Sequence, residues 1–190
     1  GPPVVVEQLK DIDVELKIIP EQQTIDGIIE KIICIASIIG INDEAKDILG
    51  LDLMTKIFEL RDLQNSEIIK SKRVMLILSM QGTSPIVAGS GTSGDSYIKM
   101  IGAVNVFDSF EGWKPVSEES IINSDPEFFI IPSRDMHKNS DVNKITTNPI
   151  FRNTKAGLEN NFIFEDSMAM LGFGPRTISS ALRVAKVILE

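Results

Sequence analysis

The side chains best suited to binding chemistry gather near the end of the chain, in Ser167-Met168-Ala169-Met170-Leu171-Gly172-Phe173-Gly174-Pro175-Arg176-Thr177. A glycine-bracketed loop there delivers two thioethers, one aromatic ring and one permanently charged guanidinium to the start of a helix. Few structural needs call for that combination, and it reads as a ligand loop. A second group, Gly89-Ser90-Gly91-Thr92-Ser93-Gly94, is a literal G-x-G-x-x-G opening a helix. In a dinucleotide site such glycines bring backbone close to a pyrophosphate at the helix N-terminus. Here the preceding buried strand ends near Leu78, roughly ten residues before the first glycine, so no tight strand-to-helix turn is implied. A glycine-rich loop with Thr92 as helix cap is the expected reading, and a dinucleotide-binding oxidoreductase is the rival.

His137 is the single histidine and follows a strand expected over Glu127–Ile131. Ligands in open α/β sheets collect beyond the carboxyl ends of strands, and Met136 beside it can ligate a soft or borderline metal. The plainer reading is a solvated surface histidine. One histidine among many serines imposes no triad spacing, and no H-E-x-x-H, C-x-x-C or Walker A pattern occurs, so no enzyme is expected. In Phe110-Glu111-Gly112-Trp113-Lys114-Pro115-Val116-Ser117, glycine and proline set a turn around the sole tryptophan. Trp113 either seals the domain edge or stacks on a ligand. Ser117 can cap a helix whose first-turn Glu118 and Glu119 complement the helix dipole.

These groups need elements to hold them. Residues 4–10 form a short helical or irregular approach, and alternation over Val14–Ile19 before Pro20 predicts a strand. Thr24 caps a helix whose Ile25, Ile28, Ile29, Ile32, Ile33, Ala36 and Ile39 keep 3.6-residue spacing up to Gly40, rich enough in isoleucine to lie against a sheet. A longer helix is expected over 43–69, flanked by solvent. Val74–Leu78 is the unbroken apolar run of a strand covered on both faces. Helices over 95–101 and 117–123, strands over 127–131 and 161–164 and a closing helix after Pro175 complete an alternating α/β pattern from about residue 71.

Composition sets outer limits. With 190 residues, a net charge of −8 and no basic cluster beyond Lys70-Ser71-Lys72-Arg73, the chain has a globular core and no nucleic-acid footprint. Cys34 is the single cysteine, so neither an intrachain disulfide nor a cysteine metal cluster is available. The apolar run over 32–41 is too short to span a bilayer. Gly1-Pro2-Pro3 carries no signal-peptide features, and the chain reads as a segment of something longer.

Several of these motifs occur together in one known family. The succession Gly91-Thr92-Ser93-Gly94-Asp95, Asn105, Phe110 through Ser117, Asp125-Pro126-Glu127 before a strand, and Leu171 through Thr177 resembles the haem-binding periplasmic proteins of haem ABC importers. These share a class with the cobalamin and siderophore binding proteins, which are the alternative identities. The resemblance covers essentially the whole chain. It implies an N-terminal-lobe remnant over 1–41, an inter-lobe connecting helix over 42–70 and a three-layer, Rossmann-like C-terminal lobe over 71–190, with most of the N-terminal lobe upstream.

By the same resemblance the ligand is haem b, held between two lobes and delivered to an ABC permease dimer by a protein that is monomeric when full length. Its location is periplasmic or lipoprotein-anchored outside the cytoplasmic membrane. The family's usual tyrosine iron ligand would lie upstream, and Tyr97 does not match it. Phe110, Trp113, Met168 and Phe173 would line the haem. Met80 stands where some members offer a histidine, in Leu78-Ser79-Met80-Gln81-Gly82, and serves as iron ligand or as apolar wall. His137 is a further axial candidate. Arg176 pairs with a propionate or pins the helix start. Glu119 matches a glutamate that docks on permease arginines.

Overall fold

Alternating side chains along two apolar strands build the middle of the fold. The structure is a computed structural model and describes residues 3–11, 15–81, 84–133 and 145–190. Its strands are β1 (Arg73–Gln81), β2 (Ser84–Ala88), β3 (Val104–Asn105), β4 (Trp113–Pro115), β5 (Phe128–Ser133) and β6 (Phe162–Asp166). Val74 and Leu76 of β1, with Phe128 and Ile130 of β5, enter one core, while Met75, Ile77, Phe129 and Ile131 enter the other. A strand buried on both faces needs that unbroken apolar run.

The first core is closed by helices α2 (Ile25–Ile39), α4 (Leu51–Gln64), α6 (Ser93–Ile101) and α11 (Pro175–Leu189). The second is closed by α7 (Glu118–Ser124), α8 (Pro149–Arg152) and α9 (Lys155–Leu158). The result is the three-layer α/β arrangement expected from the sequence. The sheet runs β4-β2-β1-β5-β6, with β3 alongside β1. β1 changes partners along its length. Val74–Leu76 run parallel to Phe128–Ile130 of β5, and beyond them Ile77 faces Val87 and Ser79 faces Ile86 of antiparallel β2. Leu78 is the extra residue between those two registers, a β-bulge.

Three expectations about the first 70 residues need correction. No strand forms over 15–19 among the described residues, since alternation marks two faces but a strand also needs a neighbour to bond. α2 begins and ends as expected, with Thr24 Oγ1 accepting from the Gly27 N–H at 3.0 Å and Gly40 at φ 76°. Its buried stripe of Ile25, Ile28, Ile32 and Ala36 packs on other helices, not on a sheet, and Ile33, Ile38 and Ile39 remain exposed. The expected single helix over 43–69 is three: α3 (Asn42–Ile48), α4 and α5 (Glu67–Lys70). Gly50 starts α4 and Asn65 ends it. α4 buries Leu53, Ile57 and Leu60 against α11, and ion pairs Lys186–Glu59 (2.6 Å) and Arg61–Asp26 (2.5 Å) tie it to α11 and α2. The short approach at the start is helix α1 (Pro3–Lys10).

A buried polar network anchors α6. Asn105 donates to the Ala88 carbonyl and to Asp95 Oδ1, both at 3.0 Å, and accepts from the Phe107 N–H at 3.1 Å. Asp95 also receives Lys99 Nζ at 2.6 Å. Thr92 Oγ1 caps the helix by accepting from the Asp95 N–H at 3.0 Å. The polar part of the Gly91–Asp95 motif is therefore structural.

Candidate functional site

The carboxyl ends of the central parallel strands open onto a depression of about 500 Å³, lined by Leu78, Pro132, Ser167, Met168, Leu171 and Gly172. Each lining residue is placed by a local rule. The bulge re-aims Leu78, which is 38% exposed although its neighbours Leu76 and Ile77 are fully buried. Pro132 lies near the end of β5. β6 runs into α10 (Ser167–Leu171), which Asp166 caps by accepting from the Ala169 N–H at 2.6 Å. That cap holds Met168 at the second position of α10, where it is 68% exposed.

The chain then turns through Gly172, Phe173 and Gly174 into α11, with Pro175 in its first turn. Gly174 N–H donates to Thr177 Oγ1 at 3.0 Å, and Thr177 N–H donates to the Gly174 carbonyl at 2.9 Å, which fixes the helix start. Arg176 is exposed beside this start and makes no ion pair with a described residue. Its guanidinium is open to a carboxylate from outside. The helix start is held by Thr177, so Arg176 is not the group that pins it.

The sequence-predicted residues do not all meet. Met168 and Leu171 line the depression. Phe173, expected to face the ligand, has φ 45° and is 2% exposed, in the same core as Met170 and Ile178. A non-glycine residue in that left-handed region marks a tight reversal, and here the reversal accompanies an inward ring. Met80 and Phe110 are half-buried against the second core, whereas Trp113 packs on the first, so these three sit on opposite faces of the sheet. His137 and Met136 lie outside the described residues. Glu119 is exposed in the first turn of α7, where Ser117 Oγ accepts from the Ser120 N–H at 3.2 Å. Sequence reasoning missed Leu78 and Pro132 as wall residues, because a bulge leaves no mark on an apolar run.

The glycine motif has a packing explanation. A Cβ built on Gly89 would meet Phe110 ring carbons at 2.4 Å, and one on Gly94 would meet the Trp113 ring and the Ala88 Cβ at 2.7 Å. Those glycines admit two aromatic rings, and they follow β2, which is antiparallel to its neighbours. A loop that leaves an antiparallel strand is also not the parallel strand-to-helix turn on which a pyrophosphate site is built. This corrects the dinucleotide alternative. Tyr97 is likewise structural. Its hydroxyl bonds Ser180 Oγ at 2.6 Å, and burial pushes the phenol far above its usual range, so it stays neutral. Behind it, Arg183 forms a two-pronged pair with the buried carboxylate of Glu165 on β6, which holds the guanidinium protonated.

Comparison with known proteins agrees with this fold. The profile of the periplasmic binding protein family matches residues 6–169. The periplasmic heme-binding protein BhuT, solved with two hemes, superposes with a TM-score of 0.83 over 99% of this chain and 71% of its own, at 24% identity. HutB, a periplasmic heme-binding protein of Vibrio cholerae, gives 0.78 over 100% and 74%, at 28% identity. RhuT, a periplasmic heme-binding protein from Roseiflexus sp. RS-1 solved in apo form, gives 0.80 over 99% and 72%, at 25% identity. No curated protein matches the chain. An α/β sheet opening at its carboxyl edge onto an apolar depression, and a family profile covering most of the residues, lead to one assignment: the chain belongs to the periplasmic binding protein family.

Proposed function

We propose that this chain binds haem b and delivers it to an ABC-type permease, as the substrate-binding component of a haem importer working outside the cytoplasmic membrane. The observation that carries the reading is the depression at the sheet's carboxyl edge, whose apolar side chains lie close in sequence to an arginine at a helix start that pairs with no described residue. Haem is a flat apolar macrocycle with two carboxylates at one edge, and the residues fit it. Leu78, Pro132, Met168 and Leu171 offer an apolar wall, and Arg176 offers a fork suited to a propionate. The fold shared with BhuT, HutB and RhuT supports the same reading. No helix among the described residues is long and apolar enough to cross a membrane.

The wall covers one face of a macrocycle and leaves the other open. A second wall burying ~200 Å² more porphyrin would contribute about 5 kcal/mol at ~25 cal/mol/Å². That corresponds to about three to four decades in affinity. Titration with ferric haem should therefore give this chain a saturable, one-equivalent Soret shift, weaker by that margin than HutB measured alongside. Saturable binding of cobalamin or a ferric siderophore with no Soret response to haem would overturn the haem assignment.

A further inference from the structure

We infer that Met168 supplies an axial thioether to the iron of the bound haem. The inference rests on the haem reading above and deepens it. Three observations carry it.

The first is exposure. Met75, Met100 and Met170 are buried, and Met54 and Met80 are half-buried against the two cores, whereas Met168 is 68% exposed. It is thus the methionine most open to solvent among the described residues. The second is position. Met168 lines the depression, and the rest of its lining is apolar carbon, Gly172 and one hydroxyl at Ser167. A thioether is a soft donor that binds iron in haem proteins, while a neutral serine hydroxyl is a poor ligand.

The third is relief. Leu78, which lines the depression with it, is 38% exposed and Pro132 and Leu171 are partly buried, so Met168 is the most exposed of these apolar side chains. A flat plate laid on such a wall cannot touch it evenly. If the protruding sulfur meets the ring periphery, contact with the wall is lost. If it meets the centre, the protrusion becomes the ligand and the surrounding apolar groups meet the ring. The Asp166 cap, which accepts from the Ala169 N–H at 2.6 Å, fixes the backbone turn that carries this side chain. Met80 is not among the residues lining this depression.

The test is spectroscopic and uses the full chain. Ferric haem is titrated into wild type, Met168→Leu and Met80→Leu, and two signals are read: the Soret shift for binding, and the weak long-wavelength sulfur-to-iron(III) charge-transfer band for thioether ligation. Leucine keeps the apolar volume, so Met168→Leu should retain a saturable Soret shift within about tenfold of wild-type affinity. It should lose the charge-transfer band, which wild type and Met80→Leu both display. A wild-type Soret shift without that band, or a band surviving in Met168→Leu, would overturn the ligand assignment and leave haem binding standing. A band lost in Met80→Leu alone would transfer the role to Met80. No saturable Soret shift in wild type would remove the haem reading and the ligand with it.

Discussion

Glu127 accepts from the Arg73 backbone N–H at 3.1 Å and from Lys155 Nζ at 2.7 Å. Burial alone would raise its carboxyl, but these two bonds and the nearby lysine charges outweigh it and hold the group below its ordinary 4.5. A carboxyl depressed in the folded state adds stability that is present above the unfolded value and lost as pH falls through the folded one. Glu127→Gln should therefore lower stability to urea by about 1 kcal/mol at neutral pH. The deficit should close in acid, as pH falls through the depressed folded value. A deficit that persists there would assign the effect to packing. Asp125, two residues earlier at φ 36°, accepts from the Lys155 N–H at 3.0 Å. The Asp125-Pro126-Glu127 motif thus ties the starts of β1, β5 and α9 together at the end of the sheet away from the depression. Its residue types declare charge, but only the fold shows that the charges are satisfied internally.

At the scale of elements, the Asn105 amide links β3, the end of β2 and the first turn of α6 through three hydrogen bonds. Asn105→Ala would remove one partner of the buried Asp95 carboxylate and leave the Ala88 carbonyl and the Phe107 N–H unmatched. A loss of about 2–3 kcal/mol is expected. An unfolding midpoint within error of wild type would show that water replaces the amide at no cost. Elements with caps and strong periodicity were readable in advance, including α2 from Thr24 and Gly40, α6 from Thr92, α7 from Ser117, and the buried runs of β1 and β5; β6 forms where expected, but its Phe162, Ile163 and Phe164 are only half-buried. The β1–β2 hairpin was not readable. No strand was expected between Leu78 and Gly89, yet Pro85 sits near the start of β2, where a missing N–H is tolerated, and its carbonyl accepts from the Val116 N–H at 3.1 Å. Of the depression's lining, Met168 was legible because a methionine is unusual in such a loop. Phe173 was not, since the backbone turn that buries its ring follows from tertiary packing.

At the scale of the whole molecule, transport requires a surface that meets the membrane component as well as a wall for the ligand. Glu119 is proposed for that surface. It is exposed, sits at a helix N-terminus, and makes no ion pair with a described residue. Glu119→Arg should leave the haem Soret titration unchanged while weakening co-sedimentation with vesicles carrying the importer by roughly tenfold, as reversing an interface charge does. Unchanged co-sedimentation would remove Glu119 from the docking surface. The parting of β1 and β5 bears on the ligand in a different way. Phe129 N–H points to Asn161 beside β6, so alternation turns the backbone of even-numbered positions toward β1, whose pairing with β5 ends at Leu76 and Ile130. The next such position is Pro132, which has no N–H to donate. On the β5 side, therefore, the cleft between the separating strands presents no amide donor at this position that a covering ligand would have to strip of water.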